Sequence, residues 1–156
     1  MTQGSFWREQ APSLGIALGN VFAIGLGMGV PAFAILLAVP VGWWLGARYV
    51  RTEPTVRAAL RSLVLAAAGL AAVSFVVLLV VWGPHIPKAF DPAVDAVSYG
   101  IPLILYTSRA SMIGWFVLML VISPVVQFMA VASTGAVAML VRSPRSDGGS
   151  EGDVAR

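Results

Sequence analysis

From Ala11 to Ala47 the chain carries no charge, and Ser13 and Asn20 are the polar side chains of an otherwise apolar, glycine-punctuated run. Continuous apolarity returns at Ser62–Trp82 and again at Ala110–Val141, with charged segments at 48–61 and 83–109 between the runs. Neither the alternation of a half-buried strand nor the one-sided stripe of a soluble helix is present; helices apolar all round belong in a core or in lipid. A bilayer core about 30 Å thick needs roughly 20 mostly apolar residues per helical crossing. Ser62–Trp82 meets that requirement as it stands.

The first run exceeds it. As one helix, Pro12 to Val50 would be on the order of 60 Å long, about twice the hydrocarbon thickness. Inside it lies "GLGMGVP", residues 25–31. Proline is favoured at the first helical position and glycine just past a helix end. Pro12 therefore opens one helix, Gly27 or Gly29 closes it, and Pro31 opens the next, which gives crossings near 12–28 and 31–50. The competing reading is a single broken helix with unwound glycine-rich backbone at mid-membrane, as in some transporters. The stretch is not a nucleotide loop, since it lacks the spacing of G-x-G-x-x-G and follows no strand.

Ala110–Val141 is also longer than the core is thick. Two crossings there would demand a hairpin at Ser123-Pro124 with no polar loop, so the segment reads as one tilted crossing with a proline kink. The expected architecture is an all-α integral membrane bundle of four transmembrane helices, near 12–28, 31–50, 62–82 and 110–141. Residues 1–142 form a single transmembrane domain with an outer loop at 83–109, and 143–156, rich in Gly, Ser and Asp, form a disordered tail. The Phe6-Trp7 pair suits an interfacial anchor ahead of the first crossing. An A-x-A pattern at Ala32-Phe33-Ala34 is followed by further apolar sequence rather than by a mature domain, which argues against signal cleavage.

Composition agrees with this class. Of the 156 residues 58% are hydrophobic and 11% charged, against roughly 25% charged in a typical soluble domain, and the mean hydropathy is +0.87. The net charge of +3 does not indicate nucleic acid, because the cations form no basic face with interleaved aromatics. They gather at helix ends instead: Arg48, Arg51, Arg57 and Arg61 around Glu53, then Arg142 and Arg145 after the last apolar run. Such excess marks cytoplasmic segments, so both termini are expected in the cytoplasm of a prokaryotic-type plasma membrane. The same arginines are candidates for anionic lipid headgroups. Cysteine is absent, which removes thiolate chemistry and disulfides.

Small residues carry the clearest interaction signal. Gly15 and Gly19, Gly25 and Gly29, and Gly42 and Gly46 form G-x-x-x-G pairs, with Ala68 and Ala72 extending the pattern, a spacing that lets helix backbones approach in lipid. Asn20, Ser74, Ser123, Gln127 and Thr134 are polar groups within the crossings and need partners there. They read as interhelical bonds, or alternatively as a polar pathway centred on Asn20 and Gln127. No acid, lysine or histidine lies deep in a crossing, which disfavours an ion-coupled carrier. Arg109 suits the interface, its alternative being a buried site for an anionic substrate.

In the outer loop, Asp91 is a good N-cap, Pro92 suits the first helical turn, and Gly100 with Pro102 would end a short interfacial helix. Asp91 and Asp95 with His85 have ligand types a divalent cation would accept, but no H-E-x-x-H, G-x-S-x-G or P-loop accompanies them. No catalytic, cofactor or metal residue is assigned. The expected function is an accessory, assembly or self-associating membrane subunit, its partners the lipid bilayer and either itself or a larger membrane complex. The alternative is a transporter or channel component.

Overall fold

The computed structural model describes residues 12, 14–22, 32–103 and 105–142. The GLGMGVP stretch expected to turn the chain, with Gly25 and Gly29, and Arg8, Arg145 and the C-terminal tail lie outside them. Every regular element among the described residues is helical. The helices are α1 (14–22), α2 (Ala32–Thr52), α3 (Val56–Trp82), α4 (Ser108–Val117) and α5 (Ser123–Arg142). Three continuous helical segments are long and apolar enough to cross a membrane: Ala32–Thr52, Val56–Phe90 and Ser108–Arg142. The expected first crossing is described only in part, through α1.

The turn between α2 and α3 is built from short-range polar contacts. Thr52 Oγ1 donates to the Arg48 carbonyl at 3.2 Å, and Arg51 sits in the last turn of α2, where a cation suits the helix dipole. Thr55 caps α3, its hydroxyl accepting from the Ala58 amide at 3.2 Å. Ser62 Oγ donates to Glu53 Oε1 at 2.9 Å and ties the turn to the second turn of α3. This capped start places the beginning of α3 at Val56, earlier than the apolar run at Ser62 implies.

The α4 and α5 helices are one rod interrupted by a π-helical turn, Leu118–Ile122. Pro124 has no amide to donate to Leu120, and its ring would crowd that carbonyl in a regular helix. The widened turn immediately upstream absorbs the conflict. The Ser123 amide bonds to Leu118 O, and Ser123 Oγ donates to the same carbonyl at 2.8 Å. Just upstream of the position where the sequence predicted a proline kink, the helix thus takes a π turn.

α5 forms the centre of the bundle. Its buried positions Ser123, Gln127, Val131, Gly135 and Met139 recur every fourth residue and face Ala34, Ala38, Gly42 and Gly46 of α2 and Leu63, Ala67, Leu70 and Ser74 of α3. Outside this seam large apolar side chains stand in the open: Leu36 is 67% exposed and Val80 is 72% exposed. A soluble monomer rarely presents such continuous apolar surface; a helix facing acyl chains must.

The outer loop differs from expectation. Gly83–Phe90 is a 3₁₀-helix continuing α3, with Pro84 near its start and Pro87 inside it. Two prolines three residues apart remove the amides that an α-helix would use, which favours the tighter winding. Asp91 Oδ1 accepts from the Ala93 amide at 2.9 Å, but only a turn follows, and a second 3₁₀ turn, Val97–Tyr99, ends at Gly100 with φ 69. In place of the single interfacial helix expected from Asp91 to Gly100 there is a turn and one 3₁₀ piece, which follow the 3₁₀-helix of Gly83–Phe90. They pack Ala89, Ala96 and Ile101 onto Met112 and Phe116 of α4.

Candidate functional site

Three buried polar side chains from three helices meet at the middle of the bundle. Gln127 Nε2 of α5 donates to Asn20 Oδ1 of α1 at 2.6 Å, and Asn20 Nδ2 donates to Ser74 Oγ of α3 at 2.8 Å. The Ser74 hydroxyl closes the ring by donating to Gln127 Oε1. Exposures are 6%, 1% and 3% for Asn20, Ser74 and Gln127. Each side chain donates once and accepts once, so the ring answers the demand that lipid makes of polar groups. Each carboxamide keeps a second N–H beyond the ring, and Asn20 and Gln127 both line a cavity of about 110 Å³ between α1, α2 and α5. That volume admits water.

Thr134 and Ser123 instead bond back along their own helical rod: Thr134 Oγ1 donates to the Ala130 carbonyl at 2.6 Å and Ser123 to Leu118 O, as above. Ser111 escaped the sequence reading. It is 1% exposed, accepts from the Leu105 amide at 2.9 Å and donates to the Leu105 carbonyl at 3.2 Å, fastening the outer loop to α4. Thr107 caps α4 through the Ala110 amide at 3.2 Å. A Thr three residues before an alanine, at a helix start, is the signal that marks both Thr55 and Thr107.

The glycine pairs separate into two kinds. A Cβ on Gly42 would lie 2.9 Å from the Val131 Cα, and one on Gly46 would lie 2.7 Å from the Gly135 Cα. Here the α2 and α5 backbones touch, and only hydrogen fits. Gly15 and Gly19 differ, since among the described residues nothing lies within 4 Å of a Cβ built on either. Ala68 and Ala72 are exposed on α3, beside Gly69, which is equally open.

The arginines also divide. Arg48, Arg51 and Arg142 line one cavity of about 350 Å³ with Pro12 and Trp44, so the ends of α2 and α5 lie together. Arg57 and Arg61 line a neighbouring cavity that also contains Glu53. The Arg48 guanidinium stands 5.3 Å from the Trp44 ring centroid and that of Arg142 5.9 Å from Trp43, cation–π geometry. At the opposite end Arg109 is exposed, 5.2 Å over Phe90, a surface position rather than a buried anion site.

His85 lies between Trp82 and Tyr99, ring centroids at 6.1 and 6.0 Å. Among the described residues no group of three His, Asp or Glu side chains is placed to hold a metal ion, so His85, Asp91 and Asp95 are not brought together. Comparison with protein-family models, with curated proteins and with solved structures finds no match.

Proposed function

We propose that this chain is a small integral membrane subunit that works by packing, with no catalysis of its own, in association with itself or with a larger membrane complex. In this reading four helices cross the plasma membrane, α1 belonging to the first, and both termini lie in the cytoplasm. The observation that supports it best is the Asn20–Ser74–Gln127 ring. The two residues best suited to a polar pathway spend their ring bonds on one another and on Ser74, as glue between helices would. The exposed residues Ala68, Gly69 and Ala72 on α3 are small enough to let a second helix approach closely.

Purification of the full chain in mild detergent, with mass-spectrometric identification of co-purifying chains, tests this reading. A cysteine introduced at Ala72 of this cysteine-free chain is expected to cross-link to a second copy or to a stoichiometric partner. The same substitution at Leu36, 67% exposed on α2, is expected to give none. A monomer at both positions, with no partner recovered, would count against a packing subunit.

The cavity beside Asn20 and Gln127 favours a second reading, a transporter or channel component. Solute passage through reconstituted vesicles that Gln127→Leu abolishes while the bundle stays folded would establish it.

A further inference from the structure

Three cavities on the α1–α2 side of the bundle join end to end. The arginine cavity shares Pro12 and Trp44 with a second, of about 420 Å³, that continues along Gly15, Ile16, Pro40 and Val41. The second shares Ile16 and Val41 with the cavity at the polar ring, lined further by Gly19, Leu37 and Ala38. A groove therefore runs from three guanidinium groups at the helix ends to the middle of the bundle. Its lining changes from cationic at the helix ends to apolar along α1 and α2, and it ends at the carboxamides of Asn20 and Gln127.

We infer that this groove binds one anionic phospholipid, with its phosphate among Arg48, Arg51 and Arg142 and an acyl chain between α1 and α2. The charge complementarity is local. No carboxylate lines the arginine cavity among the described residues, whereas Glu53 shares the neighbouring cavity with Arg57 and Arg61. Planar guanidinium groups match phosphate oxygens in paired hydrogen bonds, and basic pockets between transmembrane helices are suited to anionic headgroups. The arginine cavity draws on two helices far apart in sequence, so the site exists only in the folded bundle.

The apolar part selects a lipid over a free phosphate. The open glycines, Gly15 in the second cavity and Gly19 in the third, leave space along the groove where any larger side chain would stand. A Cβ on either meets nothing within 4 Å, so their lack of side chains keeps a channel open instead of letting two backbones touch. Trp44 stands where cationic and apolar parts meet, an interfacial position that suits indole.

Native mass spectrometry of the full chain in neutral detergent, titrated with phosphatidylglycerol or phosphatidylcholine, tests the inference. One phosphatidylglycerol is expected to be retained at least tenfold more strongly than phosphatidylcholine. Replacing two of the three guanidiniums, in Arg51→Gln/Arg142→Gln, is expected to weaken phosphatidylglycerol binding about thirtyfold, at roughly one surface-charge contribution each. Arg57→Gln/Arg61→Gln, with the same loss of charge outside the cavity, is expected to leave binding within about threefold of the parent. Gly15→Leu/Gly19→Leu, which fills open space and is checked for folding by circular dichroism, is expected to displace the lipid. Equal retention of both lipids, or equal weakening by the two arginine pairs, would overturn the site. Competition by millimolar inorganic phosphate as effective as that by phosphatidylglycerol would reduce it to a phosphate pocket and overturn the acyl-chain assignment.

Discussion

Gly46 of α2 and Gly135 of α5 stand backbone to backbone, so that a Cβ on Gly46 would lie 2.7 Å from the Gly135 Cα. Gly135 is packed from the other side too, where its own Cβ would meet the Leu63 Cδ1 methyl of α3 at 2.5 Å, a side-chain end that can turn away. Three helices converge on these two hydrogens. Gly46→Ala is expected to destabilise the bundle by about 1–3 kcal/mol, the usual range for overpacking, because the opposing atoms are main chain and cannot rotate away. Gly15→Ala, in open space, is expected to be neutral or to stabilise by up to about 1 kcal/mol. Thermal unfolding in detergent, compared between the two variants, checks the contrast; equal effects would contradict the assigned contact.

The polar ring is expected to behave as a coupled unit. Gln127→Leu removes the acceptor of Ser74 and a partner of Asn20 together, and it is expected to cost about 1–2 kcal/mol, the range for interhelical bonds in lipid. A double-mutant cycle of Asn20→Ala and Gln127→Leu is expected to show coupling on the order of 1 kcal/mol. Strict additivity in the same unfolding assay would mean that α1 does not close the ring.

Pro124 is expected to be less disruptive than its position inside a helix implies. A mid-helix proline ordinarily costs about 3 kcal/mol, but the π turn Leu118–Ile122 already removes the clash. Pro124→Ala is therefore expected to raise stability by under about 1 kcal/mol. A tag at Ser150 is expected to remain on the same side of the membrane in both forms, as protease protection of sealed vesicles would show.

Topology is open to direct measurement because the chain has no native cysteine. Under the four-crossing reading, single cysteines at Ser5, Thr52 and Ser146 are expected to be shielded from an impermeant thiol reagent in intact cells. Those at Ser98 and Met28 are expected to react. Labelling at Ser5 would favour one broken first helix with its N-terminus outside, and labelling of Met28 by small reagents alone would point to a water-filled pathway.

Three helices long and apolar enough to cross a membrane, with their approximate ends, were legible in the chain, because a 30 Å hydrocarbon layer would impose a length and an apolarity that a window of residues displays by itself. That Pro124 disturbs regular winding was legible, since a missing amide is a local property; that the helix answers with a π turn over Leu118–Ile122 was not. The outer loop was misread at Asp91, whose carboxylate accepts from the Ala93 amide as a cap would but is followed only by a turn before Val97–Tyr99.

Which face of each helix turns inward was not legible. In lipid the core-facing and lipid-facing positions are both apolar, so hydrophobicity carries no phase. Small-residue spacing supplied candidates but could not rank them. Gly42 and Gly46 meet Val131 and Gly135, while a Cβ on Gly15 or Gly19, with the same spacing, would meet none of the described residues within 4 Å. The sequence by itself determined that the polar groups at Asn20, Ser74 and Gln127 each need a partner, since a bare amide or hydroxyl in hydrocarbon costs several kcal/mol. Only the tertiary structure decided that they satisfy one another, and that Arg142 joins Arg48 and Arg51 while Arg57 and Arg61 line a separate cavity. Such pairings depend on helix rotation and crossing, which close packing of side chains around α5 settles and local sequence does not encode.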